Sequence, residues 1–78
     1  MTRLPVIVYP NPAGSRISVS CDTEPQSIRI CDLLGRVVLH KENLSKPELD
    51  VSFLPAGMYL LQVQTSDGKH LTAKFVKE

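Results

Sequence analysis

Apolar side chains recur at every second position along most of this chain. In Arg16-Ile17-Ser18-Val19-Ser20-Cys21, in Ser27-Ile28-Arg29-Ile30, and in the Tyr59, Leu61, Val63 set of Met58 to Thr65, apolar and polar residues alternate. That is the period of a strand with one face on a core. Turn signals separate these runs: Pro10-Asn11-Pro12-Ala13-Gly14, Asp22-Thr23-Glu24-Pro25, Leu34-Gly35-Arg36, Asn43 to Pro47, Pro55-Ala56-Gly57 and Ser66-Asp67-Gly68-Lys69. No segment has room for a long capped helix. The pattern predicts seven strands, near 4–9, 15–21, 26–32, 36–41, 48–52, 58–66 and 69–77. Short strands at this spacing predict an all-β fold, an immunoglobulin-like antiparallel β-sandwich.

Two connections place strands side by side. Asp67-Gly68 is the favoured dipeptide of a two-residue type I′ hairpin turn, so the sixth and seventh strands should pair. Leu71, Ala73 and Phe75 would then face the core and Thr72 and Lys74 water, with Val76 an apolar exception on the outer side. Gly35 offers a second residue free to take positive φ, between the third and fourth strands. At the other end of the chain Pro10 and Pro12 donate no backbone hydrogen bonds and push Tyr9 and Asn11 toward extended conformations. The segment should end the first strand and turn a rigid corner toward the second.

Size and charge narrow the function classes. A chain of 78 residues is expected to form a single domain over 1–78, with residues 1–3 a linker remnant. Such a chain buries only about 60% of its unfolded surface, which argues against a deep substrate cleft. A net charge of +1, from 9 basic and 8 acidic residues spread along the chain, gives no footprint for nucleic acid or anionic membrane. No apolar run approaches the roughly 18 residues of a membrane-spanning helix, and no leader pattern opens the sequence. Catalytic patterns are absent too: there is no G-x-S-x-G elbow or phosphate loop among the four glycines. His40 and His70 read as exposed edge residues, and Asp32 and Asp50 as turn-capping carboxylates. The chain is expected not to be an enzyme and to need no cofactor. Cys21, Cys31, His40 and His70 lack the close pairs of a structural zinc module.

The cysteines are expected not to bond. If the second and third strands paired, they would lie about 16 Å apart at roughly 3.3 Å per residue, beyond the reach of a disulfide. They also fall on opposite faces, which predicts a buried Cys21 and a more exposed Cys31; were the strands in different sheets, only the facing argument would remain.

The residues "YPNPAGSRISVS", "SIRICDLLGRVVLHKENL" and "LPAGMYLLQVQTSDGKHLTAKFVKE" carry, in order, Y-P-N-P, D-x-x-G-[RK]-x-[VL], L-x-x-G-x-Y and a lysine-bearing last strand. In this the chain, from about Val6 to Glu78, resembles the C-terminal sorting domain of the type IX (Por) secretion system. The resemblance implies an immunoglobulin-like sandwich at the end of exported cargo in Gram-negative bacteria. It implies passage through the periplasm to the cell surface or beyond, with an outer-membrane translocon and shuttle components as partners. A sortase-like peptidase would remove the domain, near or before residue 4. Carried over by position, the recognition residues are Pro10, Asn11 and Pro12, then Asp32, Gly35 and Arg36, then Leu54, Gly57 and Tyr59, and in the terminal segment Lys74, Phe75, Val76 and Lys77. Cys31 departs from the pattern, standing where many members carry tyrosine.

Two other readings compete. A carbohydrate-binding or adhesion module on the same fold would need an aromatic platform, and Tyr9, Phe53, Tyr59 and Phe75 are the only aromatics. A passive structural cap would leave export of the cargo unchanged. For the sorting reading, a last strand left open along its edge would suit capture by strand addition, and also edge-to-edge homodimers at high concentration.

Overall fold

The structure, a computed structural model, describes residues 6–21, 24–42 and 48–78. Seven strands follow one another: β1 (Ile7–Tyr9), β2 (Arg16–Ser20), β3 (Pro25–Cys31), β4 (Val37–Glu42), β5 (Glu48–Asp50), β6 (Gly57–Thr65) and β7 (His70–Lys77). They form a three-stranded sheet ordered β1-β2-β5 and a four-stranded sheet ordered β4-β3-β6-β7, with every pairing antiparallel. This is the expected all-β sandwich. Residues 4 and 5 of the expected first strand, and the turns at 22–23 and 43–47, lie outside the described residues. β5 stops at Asp50, short of the expected residue 52. The Asp50 carboxylate takes the backbone N–H and hydroxyl of Ser52, while Val51 turns inward and donates to the Ser15 carbonyl.

The period-two pattern sets the core. Val8, Ile17, Val19 and Leu49 of one sheet face Ile28, Ile30, Tyr59, Leu61, Val63 and Phe75 of the other, all buried. Burying an aliphatic or phenyl side chain contributes about 1.5–3 kcal/mol, so this layer is the main stabilising term.

β6 and β7 pair without a shift from Gly57↔Lys77 to Gln64↔His70. Their turn is one residue longer than the two-residue form: Thr65 O accepts from Gly68 N at 3.0 Å and Thr65 N donates to Lys69 O. Only Gly68, at φ +88°, then needs the left-handed region, because a three-residue loop ends in one such residue. The β3–β4 hairpin repeats this design with Gly35 at φ +84°.

Cys31 lies in the four-stranded sheet and Cys21 follows a strand of the other, and the two are not joined to each other. Their expected exposures are reversed. Cys21 sits just beyond the end of β2 and is half-buried, whereas Cys31 is 7% exposed. Cys31 does point away from Ile28 and Ile30. It lies on an inner strand, however, and Val37 of β4 and Leu60 of β6 flank it on that outer face. Alternation assigns the face of a residue, and the neighbouring strands decide its exposure.

Candidate functional site

The early corner reaches the last strand. After Tyr9 the chain passes Pro10 and Pro12, both preceded by cis bonds, and buries Ala13 completely. With prolines on both sides, Asn11 offers its side chain: Oδ1 accepts from Val76 N at 2.9 Å, across 65 residues. Ala13 N donates to Val76 O at 2.6 Å, and Glu78 N to Ala13 O at 2.9 Å, a parallel bridge alongside Lys77. The corner thus covers the edge of β7 from Val76 onward. The expectation of an open last strand holds only upstream of that point.

The middle motif is a turn closed by its own aspartate. Asp32 Oδ1 accepts from Leu34 N at 3.0 Å and Arg36 N at 2.9 Å, and Oδ2 from Arg36 Nε at 2.8 Å. Those bonds to the anion, the Arg36 backbone N–H foremost and the guanidinium beside it, hold the Asp32 carboxyl below its ordinary value. The Ser52 hydroxyl and N–H do the same for Asp50. In the β6–β7 loop Thr65 Oγ1 accepts from Lys69 N at 3.0 Å, as Asp32 Oδ1 does from Arg36 N.

The late motif is a corner at the start of β6. Leu54 is buried, Gly57 has φ +154°, and the Tyr59 hydroxyl donates to Pro55 O at 2.6 Å. A tyrosine bonding back to its own upstream backbone is a recurrent clamp of immunoglobulin-like sandwiches. Its ring stacks on Phe75 of β7, centroids 5.7 Å apart.

These elements meet at one end of the four-stranded sheet. Its outer face carries a shallow groove of about 400 Å³ with an apolar floor and wall from Cys31, Leu33, Val37, Met58 and Leu60. Asp32 and Gly35 of the middle motif, Tyr59 of the late motif and Lys74 of the terminal segment line the same groove. Pro10, Asn11, Pro12, Gly35, Arg36, Gly57, Lys74 and Val76 are exposed. Leu54, Tyr59, Phe75 and Lys77 are buried and shape this end from within; Lys77 Nζ returns to Glu78 O. The Asn11–Val76 bond and the groove were not legible in the sequence, because both depend on how the sheets stack.

His40 and His70 are exposed on opposite edge strands, as expected, with His40 Nε2 3.6 Å from Glu42 Oε1. Among the described residues no three His, Cys, Asp or Glu side chains are grouped to hold a metal ion. Tyr9 and Phe53 are exposed, while the one ring pair among the described residues is the buried Tyr59–Phe75 stack, so the described rings form no paired platform on the surface.

Fold and site together define a small β-sandwich held by backbone pairing and turn closure. The chain belongs to the secretion system C-terminal sorting domain family, whose model matches residues 7–78. It is a C-terminal sorting signal for type IX secretion, a family of non-catalytic signal domains that act with the type IX machinery on an N-terminal cargo bound for the cell surface or the extracellular space. The fold is similar to the crystal structure of CopC from Methylosinus trichosporium OB3b, with a TM-score of 0.51 and 21% identity over 92% of this chain and 90% of that one. That likeness concerns the fold alone. Comparison with curated proteins gives no match.

Proposed function

We propose that the type IX machinery reads this domain as a folded unit, at the end of the sandwich where all four sequence motifs meet. The observation that carries this reading is the bond from Val76 N to Asn11 Oδ1, which makes the first motif and the terminal segment parts of one surface. A signal read only as a loose terminal strand would have no use for an asparagine 65 residues upstream. On this reading Pro10, Asn11, Pro12, Arg36, Gly57, Lys74 and Val76 present contacts, with Lys74 also on the groove, while Leu54, Tyr59, Phe75 and Lys77 hold them in place. The reader is an outer-membrane translocon component or its shuttle. A sortase-like peptidase then cuts near or before residue 4, so that the sandwich leaves as one domain.

The test is an export assay in a host with an intact type IX system. A reporter carrying a signal peptide is fused ahead of residue 1, with and without deletion of Leu71 to Glu78. The reading expects surface appearance with the full domain and periplasmic retention without the last strand. Equal export of both would overturn it.

A further inference from the structure

Strand edges are where a sheet can accept another chain, and among the described residues the longest regular edge is that of β7. β1 and β5 have three residues each. β4 pairs regularly with β3 only from Leu39 to Glu42, because the register shifts between Ile30 and Cys31 and a bulge bends the strand beside the turn. β7 pairs with β6 at eight consecutive positions with no shift.

The direction of its free groups follows from bonds already described. Val76 N and O and Glu78 N point away from β6, toward Asn11 and Ala13. Antiparallel pairing alternates residue by residue, so the N–H and C=O groups of His70, Thr72 and Lys74 point the same way. Among the described residues no backbone bond from the corner reaches them, although β1 packs beside β7.

The side chains say what would fit there. Leu71 and Ala73, on the core side, are only half-buried. On the outer side Lys74 is exposed, with no carboxylate in ion-pair range among the described residues, and Arg29 two strands away is likewise unpaired. Asp32 on that end is held by Arg36. We propose that the β7 edge from His70 to Lys74 binds an extended acidic peptide strand of the secretion machinery, apolar where it passes Leu71 and Ala73 and acidic beside Lys74. The proposal rests on the sorting reading above and names the chemistry of its partner.

Charge separates this occupant from a second copy of the chain. Antiparallel self-pairing centred on Thr72 would set Lys74 against His70 of the other molecule, leaving the lysine uncompensated and adding like-charge repulsion once the histidine is protonated. An edge of five residues, about 17 Å long at roughly 3.3 Å per residue, suits a transient contact.

The test uses the 78-residue chain and a capped seven-residue peptide alternating valine with glutamate, against the same peptide with lysine for glutamate. Amide exchange and chemical shifts are followed by NMR. The proposal expects the glutamate peptide to slow exchange at Thr72 and Lys74, to leave Val76 unchanged and to bind at least tenfold tighter than the lysine peptide. Lys74→Glu should invert that preference. Equal binding of both peptides, or no protection, overturns it. So does concentration-dependent protection of Thr72 and Lys74 without peptide, which would make the occupant a second copy. Lys74→Pro removes the outward N–H without touching the core, a change edge strands tolerate. A Lys74→Pro domain of native melting temperature should lose the peptide and leave the reporter in the periplasm. If Lys74→Pro exports normally while deletion of Leu71 to Glu78 does not, the edge proposal falls and the sorting reading stands. If the intact domain also fails to export, both fall.

Discussion

Replacing Tyr59 by phenylalanine removes a single oxygen atom, which makes it a clean probe of the corner that starts β6. That oxygen donates to Pro55 O at 2.6 Å, while the ring, 6% exposed, keeps its stack on Phe75. Loss of one such hydrogen bond costs about 1 kcal/mol, provided water reaches the freed carbonyl. Pro55 is exposed, so the carbonyl can be rehydrated and the larger penalty of a buried orphan does not apply. For a domain this small, 1 kcal/mol moves the melting temperature by roughly 4–8 °C. Tyr59→Ala also loses the ring and leaves a cavity, at about 3–5 kcal/mol. Typical stabilities give a chain of this length only about 4–12 kcal/mol in all, so the alanine variant should lose at least about a quarter of its stability. Thermal and urea denaturation followed by circular dichroism separate the two. A phenylalanine variant as stable as wild type would refute the clamp. One as damaged as the alanine variant would show that the ring is not held as described.

Other predictions follow from particular residues. Gly57→Val should cost roughly 1–3 kcal/mol, because φ is +154° and a Cβ there would meet no atom within 4 Å, leaving backbone strain as the whole effect; an unchanged denaturation midpoint would refute this. Asn11→Ala should cost only about 0.5–1 kcal/mol, since Val76 lies on an exposed edge, yet it should speed amide exchange at Val76. Asn11→Asp keeps an acceptor and should leave that amide protected. The carboxyls of Asp32 and Asp50 lie below their ordinary value of 3.8 in the folded state, so what they contribute is fully present above that pH. Their contribution is lost as pH falls through their lower folded values. Melting temperature should therefore fall below about pH 4, and Asp32→Asn should remove part of that fall.

Local chemistry made much of this molecule legible in the sequence. Alternation assigned Ile17, Val19, Ile28, Ile30, Leu61 and Phe75 to the core and Thr72 and Lys74 to water, because strand side chains keep a period of two wherever one face is buried. Gly35 and Gly68 marked both hairpins, since each loop needs one residue at positive φ. What stayed hidden depends on assembly. Nothing local to Asn11 says that its side chain meets Val76. Nothing local to Cys31 says that Val37 and Leu60 flank it, although alternation put it on the correct face. The length of the Thr65–Lys69 loop also escaped, because Asp67-Gly68 fits a two-residue turn and a three-residue one equally well.

The central claim is that sorting needs the folded end of the sandwich, with Asn11 holding the terminal strand. The most direct measurement compares surface export of one reporter fused to the whole chain, to the chain with Asn11→Ala, and to Leu71–Glu78 alone. The account predicts full export for the first, reduced export for the second in proportion to the loss of Val76 amide protection, and periplasmic retention for the third. Export by Leu71–Glu78 alone at the level of the whole domain would contradict it, and the signal would then be a strand rather than a fold.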